Sequence, residues 1–506
     1  MGRTNKKSTI KLNRSSNLKL LKTNKSIFDF IIIGGGATGL GCALDASSRG
    51  YSVILLEKFD FCKGTSSKST KLVHGGVRYL EKGQIGLVYE ALKERAILKK
   101  NAPHLVKQIG FLIPAYNFFL KFYYFLGLKF YHIISGSLSF DKPQMVNKED
   151  ALKLVPNVNR NRLKGGVVFF DGQFDDSRMG IDIALSSDTN KALLFNYMSV
   201  ESLIKENSKI KGVVAKDTLS KEEFLISGAN VINATGVFSK SIMNMDSTKL
   251  QTIIRPSQGV HLVIDKKFLN GNIGILVPKT SDGRVLFAVP WLGHVILGTT
   301  DALVDEPSID PIPSNDEIDF ILHNTQKYMS LKPKREDVKS IFVGLRPLVA
   351  KDLKSKSKDI SRKHKIIISD TGLVSVIGGK WTTYRKMAEE VIDRSLNLSG
   401  LDFKKSITSD FKINDGLKHV DYSKDSLSKK FYLSEDLIIY YIRNEMAINL
   451  DDIMSRRSRC LFLDIKESLS IAPKVVEIMA KELSKNNDWK KEQLKQFHKL
   501  TKIYSI

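Results

Sequence analysis

The chain has 506 residues, 42% hydrophobic and 26% charged, the composition of an ordinary globular protein with room for two or three domains. A formal charge of +25 implies attraction to a polyanionic surface, lipid or nucleic acid, or a lysine-rich proteome, and does not choose among them. The three cysteines, Cys42, Cys62 and Cys460, show no C-x-x-C spacing, which excludes a disulfide framework and a zinc site and suggests a reducing compartment.

Residues 1–27 carry eight Lys or Arg and no acid. Two readings are open: a basic tail, solvated or lying on anionic lipid, and an organelle transit peptide. No signal-peptide hydrophobic core is present, and Lys6 spoils a myristoylation match.

Residues 28–58 read strand, glycine turn, helix, strand, acid. Phe30 to Ile33 are apolar and β-branched or aromatic, and Gly34, Gly36 and Gly39 follow in G-x-G-x-x-G spacing. The first glycine turns tightly, the second lets backbone N–H groups reach a pyrophosphate, and the third lets the helix lie close on the strand. The helix N-terminus offers donors to phosphate. Glu57, 18 positions after Gly39, ends the second strand where a carboxylate can accept from ribose hydroxyls. The pattern reads as a dinucleotide site, with a purely structural βαβ unit as the other reading.

The glycine- and hydroxyl-rich passage at 64–81, GTSSKSTKLVHGGVRYLE, suits a backbone running along a cofactor. A nicotinamide enzyme has no use for this second loop, whereas a flavin dinucleotide, with its longer reach, does. Arg78 and Tyr79 follow it, either in the same cavity or at a surface helix start. A helix is expected over 83–107. Residues 109–140 are dense in aromatics, and their uncharged run between Lys107 and Lys121 is 13 residues, short of the roughly 18 that a span requires. With Lys121 and Lys129 among Phe, Tyr and Leu, the segment reads equally as an amphipathic element in a headgroup plane or as an aromatic core or dimer face.

From Gly165 short alternating strands return toward the cofactor sheet and close at Asn233-Ala234-Thr235-Gly236. Residues 253–300 give further strand pairs with polar ends, the layout of a substrate cap. They include His261, whose ordinary pKa suits proton transfer near neutrality and which reads as structural or catalytic. Arg346 stands between an apolar strand and Pro347, which suits rigid recognition of phosphate or carboxylate, or a structural ion pair. Gly378-Gly379-Lys380 opens a helix beside a cation, a place for the negative charge of a reduced flavin edge. Beyond about residue 399 the texture is helical and charged.

Taken together, IGGGATG, KGTSSKSTKLVHGGVRYLE, QGVHLVID, DGRVLFAVPWLGHVILGTTD, GLRPLV, GGKWTTYRKMAE and DDIMSRRSRCLFLD stand in the order of a known family. The sequence resembles the flavin-dependent, quinone-linked glycerol-3-phosphate dehydrogenases from about Phe28 to nearly its end. The resemblance implies an α/β fold: a Rossmann-type FAD-binding domain, an antiparallel or mixed β-sheet substrate cap and a C-terminal all-helical domain. It divides the chain into a tail (1–27), a FAD-binding domain (28–108, returning at about 165–250 and 340–398), an aromatic membrane-associated segment within the cap (109–164), the cap (251–340) and the helical domain (399–506).

It implies FAD at Gly34, Gly36, Gly39, Glu57, Thr65, Ser66, Ser67 and Lys380, substrate at Arg78, Tyr79, Arg346, Arg362 and Lys380, and catalysis by His261, Arg346 and Lys380. The implied partners are glycerol 3-phosphate, a membrane quinone and an anionic membrane surface, with a homodimer left open and no nucleic acid. The implied place is peripheral, on the cytoplasmic face of a bacterial membrane or on the mitochondrial inner membrane. Two other functions stay open: a glycerol-3-phosphate oxidase using oxygen, and a flavoprotein whose basic surface binds RNA, for which no recognition motif is present.

Overall fold

The structure, a computed structural model, describes residues 11–77, 80, 83–138, 140–247, 253–350, 363–418, 420, 426–428 and 430–506. Eighteen strands follow one another among them, beginning with β1 (Phe28–Ile33), β2 (Val53–Leu56), β3 (Leu72–Val73), β4 (Lys107–Pro114), β5 (Gln144–Val146), β6 (Gly166–Gln173), β7 (Leu193–Phe195), β8 (Met198–Glu206) and β9 (Lys209–Asp217). The series continues with β10 (Glu223–Asn233), β11 (Ile253–Asp265), β12 (Gly274–Val277), β13 (Leu286–Trp291), β14 (His294–Gly298), β15 (Ala302–Leu303), β16 (Val338–Ala350), β17 (Lys365–Ile368) and β18 (Leu373–Ile377).

The first sheet runs β17-β18-β10-β1-β2-β7, with β9 and β8 extending from β10. β18, β10, β1, β2 and β7 pair in parallel, as expected for strands buried on both faces. Alternate residues of β1 serve opposite cores. Phe30 and Ile32 meet the side that holds Leu40 of helix Ala37–Ser48, Ile183 of helix Asp176–Thr189 and Val391 of helix Tyr384–Ser399. Ile31 and Ile33 meet Val213 of β9 and Ile242 of helix Ser239–Asp246.

The second sheet runs β15-β11-β14-β13-β12-β4-β6-β3, with β16 on β11 and β5 on β6. It is mixed, since β12 and β4 run in parallel while β11 pairs antiparallel with β14 and β16. One face, with Leu262 and Val295, packs on helix Asn315–Gln326. The other, with Phe111, Trp291 and Phe342, packs on Leu437, Phe462 and Val475 of the C-terminal helices. Those helices are Glu435–Glu445, Ile465–Glu482 and Asn487–Ile503.

The sequence pattern places the strand at Gly166 in the cofactor sheet, whereas β6 pairs with β4 in the cap. β16 likewise joins β11 there. Alternating polarity says that a strand has two unlike faces and does not name its neighbour. β4, at the start of the aromatic segment, is a buried cap strand, and only the helix that follows it, Phe118–Ser135, lies open. No helix among the described residues is long and apolar enough to cross a membrane.

The supposed basic tail is largely structured from residue 11 onward. Helix Arg14–Thr23, capped by Asn13, lies along the sheet edge: Asn17 Nδ2 donates to Leu194 O (3.1 Å) and Arg14 pairs with Asp217 (3.0 Å). Leu21 is buried from it, and Leu12 N–H donates to Asn444 O (2.8 Å), so the arm ties β7 to the C-terminal helices. Its inward positions, 17 and 21, are one helical turn apart and only one is apolar, too thin a stripe to read. Leu21→Ala should cost about 2 kcal/mol, since the arm loses its apolar anchor. The midpoint of chemical denaturation measures this.

Candidate active site

The glycine turn after β1 is fixed by contact distance. Gly34 has φ +107°, and a Cβ on Gly39 would stand 1.8 Å from the Gly34 carbonyl oxygen. Helix Ala37–Ser48 therefore starts hard against the strand, and Gly36 at its N-cap brings no capping side chain. Ser66 Oγ accepts from Ala37 N–H (2.9 Å) and Ser66 O accepts from Trp381 Nε1–H (2.8 Å), which joins the hydroxyl-rich loop to both helix starts. Glu57 Oε2 accepts from Gly35 N–H (2.6 Å) and Oε1 from Phe59 N–H (2.8 Å). Burial raises its pKa against those two donors. Thr65 Oγ1 donates to Leu345 O of β16 (2.6 Å), and Ser67 is fully buried.

These residues fit a dinucleotide. A glycine N-cap, a helix start and a carboxylate at the end of β2 meet in one place, and over Gly236 (φ +60°) a Cβ would find open space. Gly34, Gly36, Gly39, Glu57, Thr65, Ser66 and Ser67 thus form one continuous group.

His261 and Arg346 form a second group, on adjacent cap strands. His261 on β11 faces Phe342 of β16 and stacks on its ring at 4.7 Å and 14°. Its Nε2 meets Thr70 Oγ1 at 2.8 Å. Burial, then Arg346, then Lys71, hold its pKa well below the ordinary 6.5, so the ring is neutral at neutral pH. The Arg346 guanidinium lies 3.3 Å from Asp301 Oδ1, 3.3 Å from Thr299 Oγ1 and 3.2 Å from Thr300 O. A Cβ on Gly259 would stand 2.6 Å from its Nη2, so glycine there lets the guanidinium lie close against β11.

Lys380 belongs to a third place, a cavity of about 330 Å³ lined with Lys363, His364, Thr383, Glu390 and Arg394. It stands at the N-cap of the short turn Trp381–Thr383, and His364 Nε2 meets Glu390 at 2.8 Å in the same cavity. Arg78, Tyr79 and Arg362 lie outside the described residues.

Sequence reasoning missed the groups that hold His261. In the sequence Thr70 and Lys71 are only part of a hydroxyl-rich stretch. Lys71, fully buried, donates to Ser67 O (2.6 Å) and Asp176 Oδ1 (2.7 Å), and lies 5.0, 5.1 and 5.2 Å from the ring centres of Trp291, Phe342 and Phe462. Phe342 thus has His261 and Lys71 as neighbours. A lysine amid hydroxyl residues gives no sign that it will be buried; apart from Ser67, its partners come from far along the chain.

The family described as FAD-dependent oxidoreductases matches residues 29–385, and the C-terminal domain of alpha-glycerophosphate oxidase matches residues 413–493. The mitochondrial glycerol-3-phosphate dehydrogenase of Rattus norvegicus is 37% identical over 93% of this chain and 72% of its own. The chain belongs to the FAD-dependent glycerol-3-phosphate dehydrogenases. A probable glycerol-3-phosphate dehydrogenase of Encephalitozoon cuniculi is 36% identical over 91% of this chain and 82% of its own. The glycerol-3-phosphate dehydrogenase of Bacillus halodurans, solved in complex with FAD, superposes with a TM-score of 0.78 at 28% identity over 97% of each chain.

As a member of this family the enzyme is a flavoprotein oxidoreductase, and its glycine turn is the place to test the cofactor site. Gly39→Ala must push the helix from the strand, because a methyl group cannot share 1.8 Å with the Gly34 oxygen. The protein should purify with under a tenth of the wild-type flavin absorbance per chain.

Proposed function

We propose that the enzyme oxidises sn-glycerol 3-phosphate at C2 to dihydroxyacetone phosphate and passes the electrons to a membrane quinone. The observation that carries the reading is a buried, neutral His261 close to a held arginine, in a cap whose strand β16 also accepts from the flavin loop at Leu345 O. Bound FAD supplies the hydride acceptor.

In this reading the chain's own residues do the rest. His261, held by the Phe342 stack, takes the C2 hydroxyl proton by way of Thr70, whose hydroxyl gives its own proton to Nε2 as its oxygen accepts the substrate's. Arg346, steadied by Asp301, binds the phosphate. Arg78, Tyr79, Arg362 and Lys380 complete the substrate set, and Lys380 is also assigned to the flavin edge, although it lines a cavity apart from His261 and Arg346. Glu57, Thr65, Ser66 and Ser67 hold the cofactor with the glycine turn.

Helix Phe118–Ser135 supports the membrane partner. It buries Leu128, Tyr131 and Ser135, yet leaves Phe118, Phe119 and Ile133 at 69%, 78% and 69% exposure, with Lys121 and Lys129 on the same helix. That is the pattern of a helix in a headgroup plane. The mammalian relatives named as mitochondrial favour the mitochondrial inner membrane over a bacterial one. Phe119→Glu with Phe122→Glu should abolish flotation with anionic liposomes and leave turnover with a soluble quinone unchanged.

The deciding experiment is anaerobic. Glycerol 3-phosphate should bleach the flavin band, and a soluble quinone should restore it much faster than air. Faster reoxidation by air would make the enzyme an oxidase, and no bleaching with flavin intact would remove the substrate assignment.

Two further outcomes follow from the site. Arg346→Ala should raise KM about tenfold to 100-fold, the equivalent of ~1.5–3 kcal/mol for a charged hydrogen bond, with FAD retained. Loss of FAD instead would make Arg346 structural. Because the folded state disfavours the His261 imidazolium, the acid limb of kcat/KM should lie below pH 6.5. Stability from the neutral ring is complete above that value and is lost as pH falls toward the lower folded-state pKa. In His261→Asn both effects should vanish.

A further inference from the structure

The loop over residues 57–71 runs between two contacts with the glycine turn, Glu57 on Gly35 N–H and Ser66 on Ala37 N–H. The charges along it find their partners elsewhere. Asp60, fully buried, accepts from Arg456 Nε (2.6 Å) and from Arg457 Nη1 (2.6 Å) and Nη2 (3.1 Å). Lys63 Nζ donates to Asp451 Oδ2 (2.6 Å). Lys68 donates to Asp310 Oδ1 (2.8 Å), on which Tyr504 Oη also closes (3.2 Å).

Arg456, Arg457, Asp451 and Tyr504 all belong to the C-terminal helical part. Consecutive residues of an α-helix point about 100° apart, yet Arg456 and Arg457 converge on one carboxylate. The two long side chains reach it from Asp452–Arg457, a π-helical turn. Two further donations hold the pair: Arg456 Nη2 donates to Asp452 Oδ1 (2.8 Å) and Arg457 Nη2 to Glu445 O (2.6 Å). Arg459 pairs with Asp175 (3.0 Å), the N-cap of helix Asp176–Thr189, whose Asp176 holds Lys71.

We propose that Arg456 and Arg457 are positioning residues of the flavin site: by clamping Asp60 they set the path of the 57–71 loop, so that docking of the C-terminal helices and retention of FAD are coupled. The inference rests on the reading that this loop holds FAD. A free loop could shift by the fraction of an ångström that separates a hydrogen bond to the cofactor from none, and the clamp removes that freedom. Coupling of this kind is reciprocal, so FAD in turn favours the docked helices.

The test is FAD release from the holoenzyme on dilution, read by flavin fluorescence. Arg457→Met leaves Asp60 with Arg456 and Glu445 with Arg178, so the fold keeps partners for both carboxylates. FAD release should quicken at least tenfold. Activity lost on dilution should return with added FAD, with KM for glycerol 3-phosphate unchanged. Arg457→Lys, which keeps the charge but not the fork, should fall between the two, and it serves as the decisive variant if Arg457→Met does not fold. Release within twofold of wild type in a folded variant, with only the melting temperature lowered, would overturn the proposal. Glu57→Gln and Ser66→Ala separate the two layers: if neither speeds release, the loop is not the FAD site, whereas rapid release in these with slow release in the arginine variants sinks the clamp alone.

Discussion

Helix Ala37–Ser48 can approach β1 only where neither chain has a side chain, and that single steric condition places the rest of the molecule. With Gly39 against the Gly34 carbonyl, the helix start lies at the carboxyl end of the parallel strands, where open α/β sheets bind ligands. Ala37 N–H then fixes Ser66, and Ser66 O fixes Trp381, so the start of helix Tyr384–Ser399 is drawn to the same edge. Thr65 carries the constraint into the cap through Leu345 O on β16, the strand that bears Arg346 and Phe342. The chain of contacts from Gly39 to His261 is short, and each link is a hydrogen bond or a van der Waals stop.

The charges around this edge are buried in numbers that stability alone does not explain. Asp60 is driven up by burial and pulled down by Arg457 and Arg456, which win, so it remains a carboxylate. Replacing such a set by apolar side chains of equal volume is often neutral or stabilising, while removing one member costs about 3–5 kcal/mol. What ions supply and apolar groups do not is direction. A loop of hydroxyls and glycines has many conformations of similar energy. Fixed cations and anions select one of them.

What was legible in the sequence divides by range. The glycine spacing, Glu57 and the strand–helix–strand order are conditions imposed within some thirty residues, and each residue type is there because its neighbours in sequence demand it. His261 was legible as a residue but not as a site, because Thr70 stands 191 positions away and Phe342 pairs with it only across strands. Arg456 and Asp60 are 396 positions apart, and nothing in the run DDIMSRRSRC distinguishes buried arginines from solvated ones. For the same reason the sequence shows β6 and β16 as strands but not that they belong to the cap sheet.

The aromatic segment shows where composition misleads and where it does not. In β4 the apolar residues have two cores to serve, Phe111 and Ile113 on one face of the cap sheet and Leu112 on the other, so its hydrophobicity is spent on the fold. Helix Phe118–Ser135 has one partner face only. Tyr131 turns inward and donates to Asp171 (3.1 Å), whereas Phe122, Leu126 and Phe130 turn outward with Phe119. Single exposed apolar residues are ordinary, but a contiguous row on one helix is not. Lys129 lies over the Phe125 ring at 5.4 Å and Lys164 over Phe118 at 5.7 Å, so cations flank the apolar row. An apolar strip with lysines beside it, on a chain of charge +25, would suit the membrane surface proposed above, oily inside and anionic outside.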